Sequence, residues 1–260
     1  FTYTTNELVD NGGSGVIQAG KRSDREGYPL NSIFGLRYCG KIQTEEQLQK
    51  YVNKYKNNSS IGTLNNLRLG DNMFEDVNKD GKLDAEDLVY LGTDDPKMQF
   101  SINAGVEWKG LDFSIVFQGA GKRTVWREKS TWRIPMRTTY QNGSNQFIGN
   151  TWTPENTGAY YPALTNKSEL NNYNYQCSSW SVEDGSYLRL KNVTLGYTLP
   201  SSLLAKTKVL SKVRFYVSGS DLWEHSNISD GWDPEASSEV DNAKRYPFLR
   251  TVTFGLNLTF

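Results

Sequence analysis

The last ten residues, Thr251 to Phe260, place Val252, Phe254, Leu256, Leu258 and Phe260 on one parity, with threonines, a glycine and an asparagine on the other. A β-strand sends successive side chains to opposite faces, so this segment reads as a strand with one apolar face. Chain ends usually fray in water, and a strand that runs out to an aromatic residue needs something to cover that face. Hydrocarbon can do so. Strands of membrane β-barrels run about 9–11 residues and alternate lipid-facing apolar with lumen-facing polar side chains. The expected fold class is therefore all-β, a transmembrane antiparallel β-barrel.

Bulk properties do not oppose this. With 29 basic and 29 acidic residues among 260, the formal charge is zero and gives no electrostatic case for nucleic acid. The mean hydropathy of −0.63 resembles that of a water-soluble chain. Yet a polar lumen and long outer loops dilute the apolar signal of any barrel. No stretch approaches the ~18 apolar residues of a membrane helix. Fifteen Tyr, 11 Phe and 7 Trp stand beside a single His, which leaves little for histidine-based catalysis. The aromatics suit strand and core packing, interfacial girdles, or sugar-stacking loops. Cys39 and Cys177 are too few and too far apart for a disulfide framework and are expected to be free. With no signal peptide and no initiator Met before strand-like sequence, the chain is expected to be a piece of a longer protein.

Alternation recurs upstream. Met98, Phe100, Ile102, Ala104, Val106 and Trp108 share one face, and after Lys109-Gly110 the face continues through Leu111, Phe113, Ile115 and Phe117. This is a hairpin signature. From Tyr187 to Leu199, Val193, Leu195, Tyr197 and Leu199 share a parity that Leu188 and Leu190 violate, which predicts a bulge or an exit from the bilayer. Val213, Phe215 and Val217 begin another strand, and weaker ones are expected near 1–8 and 31–41. Six or seven strands cannot close a barrel around a transport-sized lumen. The connections near 109 and 200–212 are short, whereas 40–97, 120–186 and 223–249 are long. Such asymmetry fits periplasmic turns on one rim and extracellular loops on the other. Within 40–97 the Thr44-to-Gln47 segment predicts a helix start, and Leu48, Tyr51, Val52 and Tyr55 follow at helical spacing.

One motif carries chemistry. Residues 76 to 87, D-V-N-K-D-G-K-L-D-A-E-D, match the spacing of an EF-hand calcium loop. Calcium takes six to eight hard oxygen ligands, which Asp76, Asn78, Asp80, the Lys82 carbonyl, Asp84 and Asp87 could supply, with Gly81 permitting the tight turn. Asp87 replaces the usual bidentate Glu and no long helix precedes Asp76, so the expectation is a structural calcium staple; an Asp-rich turn without metal is the alternative.

Several stretches together resemble a known family: Gly70-Asp71 before the acidic loop, residues 110–119 (GLDFSIVFQG), residues 185–200 (GSYLRLKNVTLGYTLP), residues 230–235 (DGWDPE), and Tyr246-Pro247 ahead of the final strand. They look like the C-terminal part of a SusC-like (RagA-like) TonB-dependent outer-membrane transporter. The final Phe260 also resembles the signal that delivers outer-membrane barrels to their assembly machinery. The resemblance implies a 22-stranded barrel with a plug, and a SusD-like surface lipoprotein as lid. It further implies energy from TonB, ExbB and ExbD through the part of the protein not present here, and uptake of an oligosaccharide or peptide at the outer membrane. This chain would supply barrel wall, with Val252, Phe254, Leu256, Leu258 and Phe260 toward lipid. Loops on a rigid rim are where ligand or lid would touch, so Trp126, Trp132, Trp152, Tyr160, Tyr161 and Trp180 are the candidate contacts. Their alternative role is to order the loops internally. Asp230, Asp233 and Glu235 are expected to hold the last long loop by local turns, a second cation being the alternative.

The competing reading is a soluble, calcium-stabilised carbohydrate-binding β-domain, which leaves the apolar terminal strand unexplained. A hydrolase built on Glu183 and Asp184 lacks any sign of two carboxylates in different environments, and His225 sits in a polar segment with no nucleophile set. The chain is not expected to be an enzyme.

Overall fold

The computed structural model describes residues 1–10, 12, 22–55, 59, 61, 64–127, 144–206, 209–228, 232–236 and 249–260. In chain order the strands and helices are β1 (Thr2–Tyr3), β2 (Arg22–Ser23), β3 (Ser32–Gly35), β4 (Tyr38–Lys41), α1 (Glu45–Tyr55), β5 (Asn72–Phe74), β6 (Val89–Thr93), β7 (Met98–Trp108), β8 (Leu111–Gly121) and β9 (Thr124–Val125). They continue with α2 (Ser168–Asn174), β10 (Glu183–Asp184), β11 (Tyr187–Thr198), α3 (Ser201–Leu204), β12 (Lys212–Ser226) and β13 (Thr251–Thr259). Among the described residues no helix is long and apolar enough to cross a membrane, which leaves crossing by strands untouched.

The main element is a six-stranded antiparallel sheet in the order β1-β7-β8-β11-β12-β13. Cross-strand register puts the apolar parities together. Ile102 faces Phe117, Ala104 faces Ile115 and Val106 faces Phe113; Val193 faces Ile115 and Leu195 faces Phe113. Phe215 faces Leu256 and Val217 faces Phe254. The Leu188/Leu190 parity conflict is resolved by a bulge at Lys191, where the register shifts against both neighbours, so Leu188 and Leu190 rejoin the apolar face. Asp221 on the facing strand takes up the irregularity with φ 54° and pairs with Lys191 at 3.4 Å.

That apolar face is uncovered. Val106 is 60% exposed, Phe215 50% and Phe254 82%. Water-soluble proteins seldom expose contiguous apolar patches beyond a few hundred Å². The opposite face is polar, carrying Asn103, Asp112, Ser114, Arg214, Ser218, Thr253 and Asn257. Arg214 reaches across Gly196 to Asp112, Nε to Oδ1 at 2.9 Å. A Cβ on Gly196 would lie 2.5 Å from Arg214 and 2.6 Å from Asp112, so the ion pair needs a glycine beneath it.

The sheet has unlike ends. β7 and β8 join through Lys109 (φ 47°) and Gly110 (φ 87°), the two left-handed residues of a tight hairpin turn. At the other end the long connections build a separate packed unit. The small sheets β2-β3-β6 and β4-β5 lie there. Phe34, Leu36, Ile42, Tyr51, Tyr55, Leu64, Leu67, Phe74, Leu83, Leu88, Leu170 and Tyr173 form its core. Two expectations change here. Residues 31–41 do form strands, but these belong to the outer unit: β3 buries on both faces rather than alternating and pairs with β6, and β4 pairs with β5. Strand β12 also runs on to Ser226, past the start expected for the last long loop. Helix α1 begins as expected, with the Gln47 N–H donating to Thr44 Oγ1 at 3.2 Å, and it buries Tyr51 and Tyr55.

Buried polar pairs tie the outer unit together. The Asn72 N–H donates to Asn174 Oδ1 at 2.7 Å, and Asn174 Nδ2 donates to Asp71 Oδ1 at 2.8 Å. The Tyr51 and Tyr173 hydroxyls lie 3.0 Å apart. Burial pushes both phenols well above their ordinary pKa. Cys39 is exposed and Cys177 buried, and neither is in a disulfide.

Candidate functional site

The acidic loop leaves β5 and winds through side chains that accept from loop amides. Asp76 Oδ2 accepts from Gly81 N–H (3.0 Å), Asn78 Oδ1 from Asp80 N–H (3.0 Å) and Asp80 Oδ1 from Lys82 N–H (2.8 Å). Asp84 Oδ1 accepts from Glu86 N–H at 2.9 Å. Asp87 accepts twice, from Val77 N–H at 2.7 Å and Asp84 N–H at 3.0 Å, and so closes the loop on itself. Left-handed Lys79 (φ 62°) and Gly81 (φ 83°) make the turn, and fully buried Leu83 anchors it in the core. A carboxylate oxygen has two lone pairs, so these bonds leave acceptor capacity on each side chain. Among the described residues no group of three or more His, Cys, Asp or Glu converges tightly enough to hold a metal by itself.

One atom in this loop is unsatisfied. The Asp76 side chain is 2% exposed, and its Oδ1 is buried without a hydrogen-bond partner. A buried anionic oxygen without a donor is costly, and the shortfall is what a bound cation would remove. Lys54 approaches the other oxygen, Nζ to Oδ2 at 3.4 Å. Sequence spacing missed Lys54, because it comes from α1, 22 residues before Asp76. The donor set fits a hard cation: carboxylate, amide and carbonyl oxygens, with no soft ligand.

The aromatic candidates separate. Tyr160, Tyr161 and Trp180 come together, with centroids 4.9 Å apart for the tyrosine pair and 5.3 Å for Tyr160–Trp180. Tyr38, Phe147 and Tyr175 complete the cluster. Tyr160 is 52% exposed, and the buried Trp180 Nε1 has no hydrogen-bond partner. The result is a partly open aromatic shelf with polar edges. Lys41 Nζ borders it, 3.4 Å from the Tyr38 hydroxyl, and its pKa is lowered by burial. Trp152 is instead buried, its Nε1 donating to Gln43 Oε1 at 2.8 Å and its ring against Gly70, where a Cβ would fall 2.4 Å from the ring. Trp126 is buried beside Ile33 and Cys177. These two order the loops and present no free stacking face. Trp132 lies outside the described residues.

Three arginines escaped sequence reading. Arg189, 1% exposed, pairs with Glu224, with Asp233 at 2.7 Å and with Glu235 at 3.1 Å. Arg123 pairs with Asp94 at 2.9 Å and donates to the carbonyls of Pro234 and Ala236. Arg127 binds Glu183 at 2.7 Å and stacks over Trp232 at 5.2 Å. Residues 232–236 are thereby strapped to the sheet. Asp233 does form the expected turn, accepting from Glu235 N–H at 3.0 Å, but it and Glu235 are also ion-paired, and Asp230 lies outside the described residues. Glu183 is taken up by Arg127, and Asp184 accepts from Ser186 and Asn227, so both carboxylates make structural contacts.

Comparison with known proteins follows the same line. No family model matches the chain. It is 30% identical, across an alignment of 269 positions that covers 97% of this chain, to TonB-dependent receptor P3 of Formosa agariphila. It is 28% identical over 192 residues, 73% of its length, to TonB-dependent receptor SusC of Bacteroides thetaiotaomicron. The alignments cover 24% and 18% of those relatives, so the chain spans about a quarter of their length or less. Among solved structures it is similar to the RagAB peptide importer in its open-open state, with a TM-score of 0.70, 22% identity, 98% of this chain and 25% of that chain. These relatives are receptors and transporters rather than enzymes.

Proposed function

We propose, from the premise that this chain is a C-terminal part of a SusC-like TonB-dependent receptor, that it forms wall and outer loops of a nutrient importer in the outer membrane. One observation carries the reading: a six-stranded sheet whose apolar face is largely uncovered, with Val213 a buried exception, while its other face is polar and ion-paired. Lipid is the solvent for the first face and an aqueous lumen for the second. In this reading the wall belongs to a 22-stranded, multi-pass barrel around a plug. The hairpin turns face the periplasm, and 40–97, 120–186 and 223–249 contribute to the extracellular side. TonB, ExbB and ExbD act through the rest of the protein. A soluble carbohydrate-binding domain is disfavoured, because it leaves the apolar face in water.

The outer unit meets ligand and partner. The shelf of Tyr160, Tyr161 and Trp180 is the proposed contact for an oligosaccharide, a peptide, or a SusD-like lipoprotein lid; a flat ring with polar edges suits each. The loop of Asp76, Asn78, Asp80, Lys82, Asp84 and Asp87 is proposed to hold structural calcium, the unpartnered Asp76 Oδ1 being the supporting feature.

The test is uptake of labelled oligosaccharides and peptides by cells with and without the full receptor, alongside native mass of the detergent-extracted particle. Receptor-dependent uptake and co-purification with a surface lipoprotein are expected. A chain recovered without detergent, with uptake unaffected by its loss, would overturn the proposal. For the metal, Asp76→Ala with Asp80→Ala should remove calcium from the purified receptor; unchanged calcium content refutes that assignment.

A further inference from the structure

We infer that Lys54 is a counter-charge built into the acidic loop, which weakens its hold on a divalent cation while keeping the cation-free loop folded; the inference rests on the calcium reading above. Helix α1 delivers this side chain from a fixed base. Tyr51 and Tyr55 are buried at 8% and 5% exposure, so the last helical turn cannot drift. The Lys54 ammonium sits over the Tyr55 ring, Nζ 4.5 Å from the centroid, and lies 3.4 Å from Asp76 Oδ2.

The two oxygens of Asp76 are divided between tasks. Oδ2 takes the Gly81 N–H and the Lys54 ammonium, whereas Oδ1 is buried without a partner. A cation ligated through Oδ1 would leave Lys54 in place, so ammonium and cation would share one carboxylate and repel across it. Without the cation, Lys54 reaches the loop from outside it and offsets the repulsion among Asp76, Asp80, Asp84 and Asp87. Lys82 cannot replace it, because Lys82 is within the loop, 57% exposed, and 3.7 Å from Asp80 rather than near Asp76. Lys54 therefore lowers the difference between empty and occupied loop from both sides.

The experiment is calorimetric titration of calcium into the chelator-treated full receptor in detergent, for wild type, Lys54→Met and Lys54→Arg, with Asp76→Asn/Asp80→Asn as the background to subtract. Removing a unit charge about 6 Å from a divalent cation, screened nearly as in water because Lys54 is half exposed, should tighten binding about tenfold, and Lys54→Arg should stay near wild type. The gap should narrow as salt screens the exposed ammonium. In thermal melts Lys54→Met should lie below wild type in chelator and recover in saturating calcium. A wild type that binds calcium through this loop while Lys54→Met binds it equally or more weakly overturns the inference alone. Melting points lowered equally with and without calcium do the same, by making Lys54 mere packing on Tyr55. A double Asn variant that binds as much calcium as wild type removes the calcium reading, and the inference with it.

Discussion

Arginine scanned along β13 gives the sharpest test of which face meets lipid. The strand runs nine residues, Thr251 to Thr259, with Gly255 at its centre. At about 3.3 Å per residue and a tilt near 40° it spans roughly 20–25 Å of depth, close to the ~25 Å apolar band of an outer-membrane barrel. Phe254 and Leu256 flank the centre and point to the uncovered side, at 82% and 52% exposure. Arginine at either should cost about 2–4 kcal/mol, whereas Val252→Arg and Leu258→Arg, nearer the interfaces, should cost about 0–1 kcal/mol. Thr253→Arg lies at the same depth on the polar face, opposite Ser218, and should cost little. The assay is the folded fraction of each full-receptor variant in lipid bilayers under urea titration, with heat-modifiable mobility in outer-membrane extracts as a check. The expected profile rises and falls with depth on even positions and is flat at 253. A profile flat on both parities, or Thr253→Arg as damaging as Phe254→Arg, refutes the assignment of faces.

Two further perturbations probe the interior. Arg189→Met leaves Glu224, Asp233 and Glu235 clustered without their buried cation, at about 3–5 kcal/mol for a broken buried pair; limited proteolysis should then nick near 232–236, and Asp233→Asn with Glu235→Gln should partly restore protection. The outer unit should lose stability at alkaline pH. Burial raises the Tyr51 and Tyr173 phenols in the folded state, so their contribution is complete below the ordinary phenol value of about 10 and is lost as pH climbs above it. Melting temperatures followed from pH 8 to 12 should fall beyond that point, and less steeply in Tyr173→Phe; identical slopes would count against the account.

What the sequence disclosed was whatever had a local period. Strands β7 and β13 carry unbroken two-residue alternation, β8 departs from it at Val116, and α1 carries a cap and a helical stripe. At Lys191 the parity conflict was legible, but its resolution was not, because the bulge is defined only against both neighbouring strands. The outer core was invisible for a related reason. Ile42, Leu83 and Leu170 are isolated apolar residues in polar surroundings, without a repeat to mark them. Helix α2 is rich in Asn, and burial of Leu170, Asn171, Tyr173 and Asn174 overrides that weak propensity. Arg123, Arg127 and Arg189 have partners 29 to 113 residues away, beyond any local pattern. The acidic loop was readable because its oxygen-bearing residues fall within twelve positions of one another. Lys54, supplied by tertiary structure, was not.

The core of the outer unit draws Phe34 through Leu88 from one connection between strands of the sheet and Leu170 and Tyr173 from another. Neither connection holds a complete core, and the Asn72–Asn174 and Tyr51–Tyr173 hydrogen bonds join the two. In the proposed membrane setting this imposes an order on biogenesis. The first connection must wait, exposed and partly unfolded, until the hairpin bearing the second has been delivered to the same side. A chain arrested after β8 would carry an outer segment with no way to close, which makes the late strands a checkpoint for the folding of loops that precede them.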